Sequence, residues 1–333
     1  MSDKKMIWGF LVHLNTSAWA AKSDTLQFDE SAWEYILNES VKMGINTIIL
    51  DIGDGIRFAS HPELACEGAW SRTRVRKEIE RCKEMGLTLI PKLNFATTHD
   101  AWLGEYGKMV STTPYYQVCN DLIHEVYELF EKPEYIHIGM DEEGPTYYKD
   151  FELVIYRQGE LFWHDMRYLL DCVHDTGAKP WIWSCPAFET PEEFRKHISA
   201  GEVVVSPWQY NALYPEHFTP ITSREAYIRF YSKEPYKSMN LTYVEEDPFY
   251  VTFRREALPL VNDGYEVVPC VSMNNHCDWN SPDMLRYFKE NAPEDKVLGY
   301  ITAPWFATKE ENMKHFEETF KVFAPAKKEI YGK

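Results

Sequence analysis

NTIILDI at residues 46–52, LTLIPKLN at 87–94 and YIHIGM at 135–140 are short apolar runs, and the stretches between them, 72–85 and 115–131, carry the apolar spacing of amphipathic helices. Strand-like and helical patterns that alternate in this way predict βαβ units around a parallel sheet. Working outward, further strand-like runs fall at 7–14 (IWGFLVHL), 179–184 (KPWIWS), 202–208 (EVVVSPW), 266–272 (EVVPCVS) and 297–303 (VLGYITA). Helical patterns fall at 29–43, 157–176, 190–199, 253–263, 281–291 and 309–323, with Asp29, Ser71, Thr190 and Ser281 as expected N-caps. Eight strands and eight helices predict an α/β protein, a (β/α)8 TIM barrel, with residues 1–333 as a single domain. Gly44, Gly86, Gly177 and Gly264 each follow a helix and precede a strand, where a left-handed C-terminal cap is required.

One segment breaks the rhythm. Residues 209–252 form a long insertion after the sixth strand, rich in aromatics such as Tyr210, Tyr214, Tyr227, Tyr231, Tyr243 and Tyr250. A lid, or a subunit contact that would make a homodimer, are the two physical reasons to keep so many rings there. The 44% apolar share suits a large buried core, and no run approaches the roughly 18 apolar residues of a membrane span. A formal charge of -17 argues against nucleic acid and anionic bilayers as partners, since both require a basic face. The 11 Trp and 21 Tyr favour a sugar partner weakly, because such rings also serve in cores. Seven cysteines without a C-x-x-C imply neither a disulfide framework nor a zinc knuckle, so buried free thiols are expected. The N-terminus MSDKKMIWGF does not read as a signal peptide. A cytoplasmic location is therefore expected, or a secreted or periplasmic one if a leader has been removed.

In a barrel, strand residues alternate between lumen and helices, and reactive groups collect at the C-terminal strand ends. In Tyr135 to Glu142 the residues Ile136, Ile138 and Met140 share the helix-facing parity, so His137, Gly139 and Asp141 point inward. Glu142 follows where the strand yields to the loop Glu143-Gly144-Pro145, and it can reach over the opening. Asp141 and Glu142 are thus the expected catalytic centre. Other strand ends bring His13, Asn15, Asp51, Asp54, Asn94, His99, Trp183, Trp208, Asn274, Asn275 and Trp305 to the same rim, with Tyr210 just beyond. Of these Asp54, Asn94, His99, Trp183, Trp208, Tyr210, Asn274 and Trp305, with His137 deeper in, are the expected substrate-binding set. A hydrogen-bonded supporting role for His137 and core capping by the tryptophans are the bland alternatives. Carboxylates at the floor of an aromatic-walled pocket suit glycoside hydrolysis, which must protonate a leaving oxygen and hold a sugar against flat walls.

His137-Ile138-Gly139-Met140-Asp141-Glu142 resembles the H-x-G-G-D-E signature of glycoside hydrolase family 20, the β-N-acetylhexosaminidases, with Met140 at the second glycine. Residues 46–58 (NTIILDIGDGIRF) with His61-Pro62-Glu63-Leu64 resemble that family's second-strand segment. Leu89-Ile90-Pro91-Lys92-Leu93-Asn94 with His99 resembles its P-E-I-D-x-P-G-H segment. Trp183, Trp208 and Trp305 match its aromatic pocket more loosely. The resemblance implies a substrate-assisted retaining mechanism: Glu142 as general acid, Asp141 orienting the substrate's 2-acetamido group, and no metal or cofactor. The chain departs from the family in offering His13-Leu14-Asn15 where an arginine is common, Asp51 where a histidine is usual, and Asn94 for the acid of P-E-I-D. These departures make it a divergent member of the resemblance.

Two other readings compete. One is a glycosidase with two separated carboxylates, Glu142 with Glu245, Glu246 or Asp278, on a sugar without an acetamido group. The other is a non-catalytic sugar-binding barrel. Metal-dependent hydrolysis is weaker, since His13, His61, His99, His137 and His276 show no H-x-H or H-E-x-x-H spacing.

Overall fold

The structure, a computed structural model, describes residues 6–17, 21–143, 153–217 and 248–332. Most of the aromatic insertion, including Tyr227, Tyr231 and Tyr243, lies outside the described residues, as do Gly144, Pro145, Glu245 and Glu246. The strands are β1 (Ile7–His13), β2 (Thr47–Asp51), β3 (Thr88–Lys92), β4 (Tyr135–His137), β5 (Lys179–Trp183), β6 (Val204–Ser206), β7 (Glu266–Val267), β8 (Cys270–Val271) and β9 (Gly299–Thr302). All pair in parallel, in the order β7-β6-β5-β4-β3-β2-β1-β9-β8. β7 and β8 are two pieces of the single run expected at 266–272, interrupted at Pro269, which has no N–H to give a ladder. The first piece pairs with β6 and the second with β9, so the run closes the sheet into a (β/α)8 barrel.

The helices that wrap it include α1 (Glu30–Lys42), α2 (Arg72–Glu84), α3 (Thr113–Leu129), α4 (Glu160–Thr176), α5 (Cys185–Glu189), α6 (Pro191–His197), α7 (Pro248–Asn262), α8 (Asn280–Asn291) and α9 (Met313–Tyr331). Ser71 caps α2 by accepting from Arg74 N. Ser281 instead lies inside α8, whose N-cap is Trp279. The short α5, which the sequence pattern did not announce, begins directly after β5 with a proline in its first turn. Gly44, Gly86, Gly177 and Gly264 all have positive φ, as their cap positions require.

Strand parity divides the core in two. Ile136, Ile138 and Met140 belong to the large layer between strands and helices. Leu11, Ile49, Ile90, Tyr135, Trp181, Val204, Val268 and Ile301 fill the lumen. Two residues further along their strands, the same parity turns His13, Asp51, Lys92, His137, Trp183 and Ser206 inward, and of these His13, Asp51, Lys92 and Trp183 reach the cavity at the C-terminal mouth of the barrel. All seven cysteines are free and buried. Among the described residues no helix is long and apolar enough to cross a membrane.

Candidate active site

The barrel mouth holds a cavity of about 340 Å³. Its walls include Asp141, Glu142, Asn94, His99, Trp183, Trp208, Tyr210, Asn274 and Trp305, nine of the residues expected to be catalytic or substrate-binding. His13 and Asp51, also at the rim as expected, and Lys92 complete the lining. Asp54 and His137 do not reach it. Asp54 is fully buried, accepting a 2.7 Å hydrogen bond from Asn15 Nδ2, and burial raises its pKa against the pull of Asn15 and Ser17. It pins the loop after β2 to the end of β1. His137 sits below the cavity between the rings of Trp181 and Trp183, and its Nδ1 accepts from Gly139 N at 3.0 Å. Burial, then the charge of Lys92, pushes its pKa well below the usual value, so it stays neutral and structural.

The acid pair is carried by an unusual stretch of backbone. β4 ends at His137, and Gly139 and Met140 then take φ of 76° and 62°, in the left-handed region. A Cβ on Gly139 would lie 2.0 Å from Asn94 Oδ1 and 2.9 Å from the Asn94 Cα, so glycine is required for Asn94 to pack over the turn. At Met140, the second glycine of the signature would relieve a cost of roughly 1–2 kcal/mol. The side chain is fully buried in the outer layer, an anchor that glycine would lack.

Asp141 and Glu142 meet His99, whose Nδ1 lies 3.5 Å from Asp141 Oδ1 and whose Nε2 lies 3.9 Å from Glu142 Oε2. Thr98 fixes this contact: its hydroxyl bonds to His99 Nδ1 at 2.8 Å and donates to the Glu142 carbonyl at 2.7 Å. Burial lowers the His99 pKa, with Asp141 pulling the other way. Burial, and then the negative charges of Asp141 and Glu189, push the Glu142 carboxyl up to about 8. Glu142 therefore favours its proton at neutral pH, as a general acid must.

Below the acids lies a row of polar side chains on successive strands in register: His13 opposite Asp51, Asp51 opposite Lys92, and Lys92 opposite His137. Asp51 Oδ2 accepts from Lys92 Nζ at 2.8 Å and lies 3.1 Å from His13 Nδ1. Burial alone would raise Asp51, but Lys92 and His13 outweigh it and hold the carboxyl well below the usual range. Lys92 itself was not among the residues expected to touch substrate. Its parity could have found it, since Ile90, Lys92 and Asn94 alternate inward.

The aromatic walls form a connected set. Trp208 stacks on Tyr210 at 5.2 Å between ring centroids, and Trp183 meets Trp305 at 5.6 Å. The Trp183 indole N–H is buried without a hydrogen-bond partner among the described residues. Asp278 of the two-carboxylate reading lines a different crevice with Met273, His276, Glu318, Lys321 and Val322. Donor atoms of His99, Asp141 and Glu142 lie within 4.8 Å of one another, as do those of Glu160, Glu193 and His197 on the surface.

No family model matches the chain, and no curated protein matches it in sequence. Solved structures match it along nearly its whole length. The exo-β-N-acetylglucosaminidase of glycoside hydrolase family 20 from Vibrio harveyi, in complex with N-acetylglucosamine, superposes with a TM-score of 0.56 at 13% identity, covering 99% of this chain and 58% of that one. The family 20 β-N-acetylhexosaminidase from Streptomyces coelicolor A3(2) gives 0.60 at 12%, covering 96% and 64%. Dispersin B gives 0.57 at 12%, covering 97% and 99%. The chain thus spans less than two thirds of the first two and nearly all of the third. The likeness is one of fold, and it falls on the family that the H-x-G-G-D-E-like stretch resembles.

Proposed function

We propose that the chain is a glycoside hydrolase acting on N-acetylhexosamine-containing glycans by a substrate-assisted retaining mechanism. Glu142 protonates the leaving glycosidic oxygen and afterwards deprotonates the incoming water. The substrate's 2-acetamido oxygen attacks the anomeric carbon, and Asp141 accepts a hydrogen bond from the acetamido N–H and stabilises the positive charge that spreads over that group. The indole and phenol faces of Trp183, Trp208, Tyr210 and Trp305 hold the sugar ring, while Asn94 and Asn274 supply polar contacts.

The observation that carries this reading is the raised proton affinity of Glu142 directly beside Asp141 in an aromatic-walled cavity. The two-carboxylate alternative finds less support. Besides this pair, the carboxylate among the described residues of the cavity lining is Asp51, which is already committed to Lys92 and His13. The solved relatives of like fold, whose names describe N-acetylglucosaminidases and N-acetylhexosaminidases, point the same way. The test is a series of 4-nitrophenyl glycosides whose acetamido group carries zero to three fluorines. If its oxygen is the nucleophile, kcat falls steeply with each fluorine; a flat series would rule out participation.

A further inference from the structure

We infer that Arg157 is a positioning residue for the acid pair, locking together the two loops that carry His99 and Asp141–Glu142. What the pair does in turnover rests on the proposed function; the clamp rests on geometry alone. Glu143, next in the chain after Glu142, turns away from the cavity and is buried. Its Oε1 accepts from Thr97 N at 2.9 Å and its Oε2 from Arg157 Nε at 3.0 Å, while Arg157 Nη2 also bonds to Oε1. The same Nη2 donates to the Phe95 carbonyl at 3.0 Å. Thr98 adds its bond to the Glu142 carbonyl. Residues 95–98 and 142–143 are thereby tied at both ends, with His99 and the acids on the cavity side.

Arg157 is itself held from behind. Asp165 on α4 lies 3.5 Å from its Nη1 and accepts from Ser111 Oγ at 2.6 Å and from the Tyr116 hydroxyl. A bidentate guanidinium fixes both distance and plane, which a lysine cannot do. A buried ion pair contributes little net stability compared with an apolar pair of similar volume. Its position, one residue from the acid, gives it a reason to exist that stability does not.

Loosening the clamp would let the 141–143 segment shift and water reach Glu142. The groups that face Glu142 are Asp141, His99, Glu189, Cys185 and Tyr210; the substitutions below replace none of them, although the charge of Glu143 raises the pKa of both His99 and Glu189, an effect that Arg157→Lys leaves in place. Arg157→Met alone strands Glu143 as a buried anion and would destabilise the chain. The double variant Glu143→Gln with Arg157→Met removes both charges of the bidentate pair, keeps an acceptor for Thr97 N and leaves Asp165 its bonds from Ser111 and Tyr116, so it is the decisive one. Arg157→Lys keeps the charge without the fork.

Two readouts apply to each variant after its melting temperature shows it folded. The first is the pH–rate profile on 4-nitrophenyl N-acetyl-β-glucosaminide. The second is a ¹³C NMR titration of glutamate carboxyl carbons, with Glu142→Gln assigning the resonance. In the double variant we expect kcat to fall roughly 10- to 100-fold with KM within about threefold, and the Glu142 titration and the alkaline limb to move down by about one pH unit or more. Arg157→Lys should move in the same direction by less. A folded double variant with the parental profile and titration overturns the inference. If the parent titrates high but leaves the glycoside uncleaved, the substrate reading fails. The clamp is then decided by the NMR shift alone: a lowered titration supports it and an unchanged one overturns it.

Discussion

Consider Glu142→Gln, which keeps the shape of the side chain and removes its proton equilibrium. In the folded chain the carboxyl titrates near 8, against an ordinary 4.5. Between those values the unfolded chain has released the proton and the folded chain still holds it, so the contribution of Glu142 to stability falls as pH rises through that window and is fully lost above about pH 8. At 1.4 kcal/mol per tenfold this amounts to at most about 5 kcal/mol. The side chain is 25% exposed to the cavity, and solvent screening there reduces the figure to about 2–3 kcal/mol. Glutamine carries no such dependence. The melting temperature of the variant relative to the parent should therefore rise by about 3 °C between about pH 5 and pH 9, given the unfolding entropy of a chain this long. Turnover should fall on the order of 10²-fold or more, and the activity of the parent should decline as pH rises through about 8, where its acid loses the proton. Thermal unfolding at a series of pH values and initial rates on one glycoside check both halves. A melting difference that ignores pH, or near-parental turnover, would refute the reasoning.

Three further outcomes follow from the same geometry. Lys92→Met leaves Asp51 buried without its main partner and should cost about 3–5 kcal/mol in urea unfolding, most of which the double variant with Asp51→Asn recovers. Gly139→Ala drives a Cβ into Asn94 at a left-handed φ, and should cost more than about 3 kcal/mol and reduce kcat, measured by denaturation and initial rates. Trp208→Ala removes a stacking wall from the cavity and should raise KM about 3- to 10-fold with kcat less affected, read from substrate saturation curves.

The alternation of parity made most of the barrel legible before any coordinates. Ile136, Ile138 and Met140 face the helices as their spacing required, and the cavity gathers Asp141, Glu142, Asn94, His99 and the tryptophans from five different strand ends and loops. What escaped had physical reasons. Asp54 shares the acidic character of a rim residue, but Asn15 beside it in space captures its carboxylate, and a partner 39 positions away leaves no local signal. His137 has the inward parity, yet two flanking indoles close over it. Lys92 has the inward parity of Ile90 and Asn94, but its pairing with Asp51 exists only once the strands are aligned. The left-handed turn at Gly139–Met140 was hidden because methionine gives no hint of positive φ, while a second glycine there would have. The clamp of Arg157 on Glu143 joins residues 14 positions apart, and nothing in the strand or helix periodicity connects them.

The claim that two acids in this cavity work on a 2-acetamido sugar is tested most directly by initial rates on paired 4-nitrophenyl glycosides, identical except for an acetamido or a hydroxyl group at C2. The account predicts turnover of the acetamido member with the hydroxyl member at or near background, since in the proposed mechanism the nucleophile is the substrate's own acetamido oxygen. Equal rates on both, or cleavage of the hydroxyl member alone, would contradict it.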